Sequence, residues 1–274
     1  MPESRIAVIG TGRMGRGLAL ALERAARPVA LLGREREPGA WSEAVRDADT
    51  LVIAVPDTAI GDVAGALADG GVVGPEHIVL HLSGLLDRGA LVALEESGAG
   101  LGSLHPLQTV ADPATAPERL RGAYAAVEGD ARAVAAAEAL ARAVGMTPVP
   151  VPAAGKPLYH AAAAIAANYT VVLVGVAERL AVRAGIAPEL AGKLFVPLLE
   201  GAARNIAELG PAAALTGPIR RGDVRTIFAH LAALDPDDQH LYGTLGCLAV
   251  ALARDAGLDP STARLIEAVF NEEP

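Results

Sequence analysis

The sequence predicts an α/β protein, with a doubly wound parallel sheet in its first half and an all-helical second half. Three observations carry this. A short apolar strand, 6–9, runs straight into Gly10-Thr-Gly-Arg-Met-Gly15, with a helix-forming run behind it. Further short apolar runs alternate with helical ones through the first half. Beyond the proline-rich stretch 147–152 no convincing strand occurs, and long helical patterns take over.

In chain order, the strand candidates are 6–9, 29–32, 51–55, 78–82, 101–104 and 123–127. They are apolar on both faces, as strands covered by helices on both sides must be. Helical runs 16–26, 58–68 and 88–96 fall between them, and 131–144 leads to Gly145. Thr147-Pro-Val-Pro-Val-Pro152 reads as extended chain closing the first domain, with Ala153-Ala-Gly155 as the hinge. The expected division is therefore 1–152, a dinucleotide-binding Rossmann domain, and 153–274, an all-helical substrate and dimerisation domain. Helices are expected at 157–184, 189–209, 224–234, 239–256 and 261–271. Gly185 and Gly257 each end a helical run and are followed by Pro188 and Pro260, which suits a helix stop and restart.

Composition narrows the function classes. A net charge of −9 argues against a nucleic-acid partner. The single cysteine, Cys247, excludes an internal disulfide framework, fits a reducing cytoplasm and reads as a small core residue. The N-terminus shows no signal-peptide pattern. The nearly charge-free stretch 161–177 mimics a membrane span, but it holds Asn168, Tyr169 and Thr170 and lacks basic flanks. It is expected to be a helix buried in a soluble core or in a dimer interface, not in a membrane.

The glycine motif points to a cofactor. Gly10 permits a tight turn, Gly12 lets backbone approach a pyrophosphate, and Gly15 lets the helix pack on the strand. Thr11, Arg13 and Met14 complete the loop at a helix N-terminus, where free N–H groups and the dipole favour phosphate. The second strand ends in Gly33-Arg34. An acidic residue there would bind the ribose 2′-OH of NAD, whereas Arg34 suits a 2′-phosphate, with Arg13 or Arg36 assisting. The expected cofactor is NADP(H); the alternative makes Arg34 a solvated loop charge and Glu35 the ribose ligand.

Reacting groups in such sheets gather outside the carboxyl ends of the strands. Three loops qualify: Val55-Pro56-Asp57, where Asp57 reads as a helix cap; His81-Leu-Ser83-Gly84; and His105-Pro106. Imidazole is apt for proton transfer because its pKa lies near working pH. A further constellation opens the long helix, where Lys156 and His160 are four apart on one face. Asn168 lies two turns beyond His160 and about 80° around. His77 and His81 lack further ligands, so no metal site is expected.

A strand-and-helix unit of this kind before an all-helical half resembles the 6-phosphogluconate dehydrogenase-like superfamily. Three segments are similar to an uncharacterised family of NADP-dependent oxidoreductases whose C-terminal half is a domain of unknown function. They are Ser103-Leu-His-Pro-Leu-Gln-Thr109, Tyr159-His-Ala-Ala-Ala-Ala-Ile-Ala-Ala-Asn-Tyr169 and Leu215-Thr-Gly-Pro-Ile-Arg-Arg-Gly-Asp223. By this resemblance Val55 and Pro56 line the cofactor. His105 is the acid/base group and Ser83 a positioning group, as in prephenate dehydrogenases. Lys156 and Asn168 correspond to the polar residues that β-hydroxyacid dehydrogenases and ketopantoate reductase place on the first C-terminal helices, although His160 holds the position where the β-hydroxyacid enzymes put Asn. Similar loops in pyrroline-5-carboxylate reductases bring residues like Thr216, Arg220 and Arg221 towards the active site. Leu107-Gln108-Thr109 replaces the glycine-containing anion site of prephenate dehydrogenases, so that substrate is not supported.

The resemblance implies an NADP(H)-dependent oxidoreductase acting on a small carbonyl, imine or hydroxy compound held between the domains, in a cytoplasmic homodimer formed through the C-terminal helices. The alternative is a non-catalytic NADP(H)-binding regulatory or partner protein, which would bind the cofactor without turnover.

Overall fold

A computed structural model describes residues 5–33 and 38–271. Its sheet has seven strands: β1 (Ile6–Ile9), β2 (Val29–Leu32), β3 (Thr50–Ile53), β4 (Ile78–His81), β5 (Gly100–Leu107), β6 (Tyr124–Gly129) and β7 (Thr147–Pro150), in the order β2-β1-β3-β4-β5-β6-β7. The first five strands are mutually parallel.

Alternating side chains divide between two cores, as the period of a strand requires. Ile6, Val8, Val52, Leu80 and Leu104 pack on one face with α1 (Arg13–Arg24), α4 (Ala116–Leu120) and α5 (Ala131–Ala143). Ala7, Ile9, Leu51, Ile53, Val79 and Leu101 pack on the other with α2 (Pro38–Arg46), α3 (Asp57–Asp69) and the 3₁₀ helix Arg88–Ser97. These are the two covered faces of a doubly wound sheet.

Several expectations are corrected. The sheet is not wholly parallel, because β6 runs antiparallel to β5. The short connection through α4 stays on the α1 side, where Ala116 fills the space left by Gly17, and returns the chain beside β5 without a full crossover. The proline-rich stretch is a strand, β7, paired parallel to β6. Its prolines are tolerated because β7 lies at the sheet's edge, with no further strand to receive an N–H. The run 88–96 is 3₁₀ helix, capped by Asp87, which accepts from the Gly89 N–H. Helices at 38–46 and 116–120 had no clear periodic pattern to announce them.

The chain forms two compact units, up to Val171 and from Val172. The helix that follows β7 is therefore divided, its first part up to Val171 in the first unit and the rest in the second, whereas the expected division lay at 152/153. This helix comprises α6 (Lys156–Ala164), a π turn (Ile165–Tyr169) and α7 (Thr170–Arg183). It is not a core helix: Leu158, Ile165, Tyr169, Val171 and Val172 are each more than half exposed. Among the described residues, 153–183 is the one helix long and apolar enough to cross a membrane.

The second unit is helical: α8 (Pro188–Leu194), α9 (Val196–Leu209), α10 (Pro211–Ala214), α11 (Gly217–Arg221), α12 (Val224–Ala233), α13 (Pro236–Asp255) and α14 (Pro260–Asn271). The expected helix 189–209 breaks at Phe195, and 215–223 holds the short helix α11 rather than a simple turn. Ile227, Val250, Ala263, Ile266 and Val269 form the core. Asp238 is buried and takes a two-pronged bond from Arg179, at 2.9 and 2.6 Å, and another from Arg183. Gly185 and Gly257 adopt left-handed φ as helix stops. Cys247 is half-buried and not among the buried core residues.

Candidate active site at the strand ends

The three glycines of the fingerprint loop meet different surroundings. Gly10 has a φ of +127°, and a Cβ there would lie 2.3 Å from the Ala54 carbonyl oxygen. A Cβ on Gly15 would lie 2.1 Å from the Gly10 oxygen. Both glycines are required by the protein's own packing. Gly12 differs, since nothing lies within 4 Å of its missing Cβ. The space over Gly12 is open, as close approach of a pyrophosphate would need. No acidic residue occupies the first turn of α1, and Arg13 stands there instead. Against the helix dipole alone a cation at this end is unfavourable; beside an anion it is not.

Thr11 is fixed from two sides. Its carbonyl accepts from Arg16 Nε at 2.7 Å, and its methyl lies 2.9 Å from where a Gly33 Cβ would be. Met14 follows Arg13 in the first turn of α1. Val55 packs beside Gly10, and Pro56 is the N-cap residue of α3. Arg34, with Glu35 and Arg36, lies outside the described residues.

A buried polar row crosses the adjoining strand ends. His81 is fully buried; its Nε2 meets the Asp87 carbonyl at 2.9 Å, and its Nδ1 accepts the Ser83 N–H at 3.2 Å. Both bonds suit one neutral tautomer, and burial lowers the pKa to about 4. Ser83 Oγ donates to Asp57 Oδ2 at 2.8 Å and accepts the N–H groups of Leu85 and Leu86 at 3.1 and 2.9 Å. Its hydroxyl is thus occupied in shaping the loop. Asp57 is not the cap of α3: Pro56 holds that position, and the carboxylate turns to Ser83.

Lys156 is the largest fully buried side chain. Its Nζ donates to the Ser83 carbonyl at 3.2 Å and to Ser103 Oγ at 2.7 Å. Ser103 Oγ in turn meets Glu128 Oε2 at 3.3 Å, which also accepts the Arg88 N–H at 2.9 Å. Burial lowers the Lys156 pKa, opposed by the Glu128 charge; burial raises that of Glu128, opposed by Lys156. This pair ties α6 to the loops after β4 and to β5 and β6.

His160, one turn after Lys156, continues the same face. Its Nδ1 is buried without a hydrogen-bond partner. A Cβ on Gly84 would lie 2.6 Å from that atom and 2.9 Å from His105 Nε2. The two imidazoles therefore converge over the bare Gly84, with ring centroids 5.8 Å apart. His105 Nδ1 shares a 2.9 Å hydrogen bond with the Tyr159 hydroxyl, its direction set by the tautomer. Burial first, then the neighbouring His160 and Lys156, lowers the His105 pKa to about 4, and burial raises that of Tyr159.

His105, Tyr159, His160 and Asn168 line one cavity of about 550 Å³, with Pro106, Leu107, Gln108, Thr109 and five alanines of α6 and the π turn. All of it lies within the first unit. The π turn brings Asn168 in. Each residue of a π helix turns less than in an α-helix, which takes back part of the 80° that would separate Asn168 from His160. The cavity thus gathers His105, His160 and Asn168; Ser83 adjoins through Gly84, and Lys156 lies behind it. Sequence reasoning gave no role to Tyr159, Ser103 or Glu128. Tyr159 stood beside His160 in a quoted segment, but a partner 54 positions away has no local signal. Among the described residues no group of three or more His, Cys, Asp or Glu is placed to hold a metal.

The sheet, its glycine loop and the helical second half define a Rossmann-type protein. Residues 123–249 match the model of a domain of unknown function, DUF2520. Among solved structures, a protein of Thermotoga maritima is 23% identical with a TM-score of 0.68, over 92% of this chain and 99% of that one. A Bacteroides fragilis protein, described as a candidate NADP oxidoreductase, is 20% identical with a TM-score of 0.64, over 98% and 96%. A Plasmodium falciparum pyrroline carboxylate reductase with NADP bound is 13% identical with a TM-score of 0.63, over 99% and 100%. At these identities the likeness is one of fold. No curated protein matches by sequence.

Proposed function

We propose that the protein is an NADP(H)-dependent oxidoreductase of a small carbonyl, imine or hydroxy compound. One observation carries this. The glycine loop follows the carboxyl end of β1, and in the same sheet His105, near the carboxyl end of β5, lines a cavity of substrate size together with Tyr159 and His160. The fold neighbours named for NADP chemistry support it.

Gly10, Thr11, Gly12, Arg13, Met14 and Gly15 would seat the pyrophosphate, Arg34 the 2′-phosphate, and Val55 and Pro56 would flank the cofactor. Bound there, NADPH supplies the hydride. His105 exchanges the proton with the substrate oxygen or nitrogen, backed by Tyr159. Both are neutral at pH 7, so their shared hydrogen bond holds a mobile proton without a buried charge. His160 and Asn168 orient the substrate, while Ser83 and Lys156 hold the loops that position it. A reducing cytoplasm is the compartment this reading takes.

The test is NADPH binding and NADPH oxidation over a panel of ketones, aldehydes and cyclic imines. Tight NADPH binding that weakens in Arg34→Asp is expected, with turnover falling about 10²–10⁴-fold in His105→Asn while NADPH binding persists. Binding without turnover across the panel would instead mark a regulator, and equal affinity for NADH and NADPH would remove the cofactor assignment.

A further inference from the structure

We propose that the cavity takes an uncharged substrate, an aldehyde, ketone or imine on a small apolar body, and excludes substrates carrying a carboxylate or phosphate. This rests on the cavity being the substrate's seat in the function proposed above.

Among the described residues, the lining holds no Lys, Arg, Asp or Glu. Its polar groups are amide, hydroxyl, phenol and imidazole, and much of the remaining wall is the alanines 162–164, 166 and 167. Lys156, the residue one turn before His160, is already committed. It is 1% exposed, and its Nζ is turned to the Ser83 carbonyl and Ser103 Oγ, away from the opening. Its charge is balanced locally by Glu128, Asp87 and Asp57. An anion entering would exchange water for alanine methyl groups with no countercharge among the described residues, which disfavours it. A carbonyl or imine needs only one donor near its reacting atom, and the His105–Tyr159 pair offers it. The cavity thus differs in chemistry from a site for pyrroline carboxylate, the substrate named for one of the fold neighbours. Its specificity would come from shape and from the absence of charge.

The test uses two ligands of nearly the same shape, cyclohexanecarboxamide and cyclohexanecarboxylate. Calorimetry on the full chain, with and without NADP⁺, measures both. The carboxamide is expected to bind at least about tenfold more tightly, and Ala163→Arg to narrow or reverse that ratio. Carboxylate binding equal to or tighter than the carboxamide in the unaltered protein overturns the inference, as does failure of both ligands to bind. NADPH binding is read separately. If NADPH binds and the carboxylate wins, the inference falls and the oxidoreductase reading stands. If NADPH fails to bind, that reading falls while the ligand pair still reports on the cavity.

Discussion

Lowering the pH from about 7.5 to about 5 is expected to remove about 2 kcal/mol of stability through His81 alone. The imidazole is fully buried between β4 and the loop that follows, with both nitrogens bonded as a neutral ring requires. Protonation would put a charge there and turn Nδ1 from acceptor into donor, against the Ser83 N–H. The folded pKa is lowered from 6.5 to about 4. The corresponding stability is complete above the unfolded value and is lost as pH falls towards the folded one. Within that window the unfolded chain binds a proton that the native one does not. At about 1.36 kcal/mol per pH unit, the loss is about 2 kcal/mol near pH 5 and about 3 near pH 4. Urea unfolding followed by circular dichroism, at both pH values, measures it in the unaltered chain and in His81→Gln. The glutamine amide can still donate to the Asp87 carbonyl but does not titrate. The unaltered chain should lose about 2 kcal/mol more than the variant across the interval. The raised pKa of Glu128 works in the opposite direction, stabilising on acidification, and it is common to both proteins, so it largely cancels. Parallel losses in the two proteins would refute the argument. So would an imidazole resonance of His81 that titrates near its ordinary pH, a measurement that needs no variant.

The glycine loop offers a contrast within three residues. Gly10→Ala meets the Ala54 carbonyl at 2.3 Å with a φ of +127°, and should cost about 2 kcal/mol or more in urea unfolding. Gly12→Ala meets nothing within 4 Å and should leave stability within about 0.5 kcal/mol, while weakening NADPH about tenfold or more. Loss of stability at both positions, with no cofactor-specific effect at Gly12, would undo that distinction. The exposed apolar residues of 153–183 are expected to be covered by a second copy, so light scattering should return the mass of a homodimer. A monomer at micromolar concentration would exclude that arrangement.

Much of the first unit was legible because its signals are local. The strands 6–9 and 29–32 fall where apolar runs end in glycine, and the helix of 131–143 begins at an Asp130 cap. The direction of β6 was not legible, because it depends on where α4 packs and not on any residue of β6 itself. β7 was hidden by its prolines, which mark an edge strand only once the edge is known. The π turn leaves no sign in an alanine-rich run that suits α and π winding alike. Among the site residues, His105 and His160 could be named from chemistry and resemblance. That Lys156 lies buried could not be read from a lysine at a helix start. Only the fold supplies Ser103 and Glu128, each from a different strand, to meet its charge.

Gly84 has a consequence for reading variants of this chain. Nothing polar distinguishes it, and it donates nothing to the cavity. Yet His160 Nδ1 and His105 Nε2 stand 2.6 and 2.9 Å from the spot a methyl group would fill. The smallest possible enlargement there would push two imidazoles apart without removing any polar group of the cluster. Such a protein would keep its fold, its charge and its full set of candidate reactive groups. Only their spacing would be lost, and no inventory of side chains would reveal it.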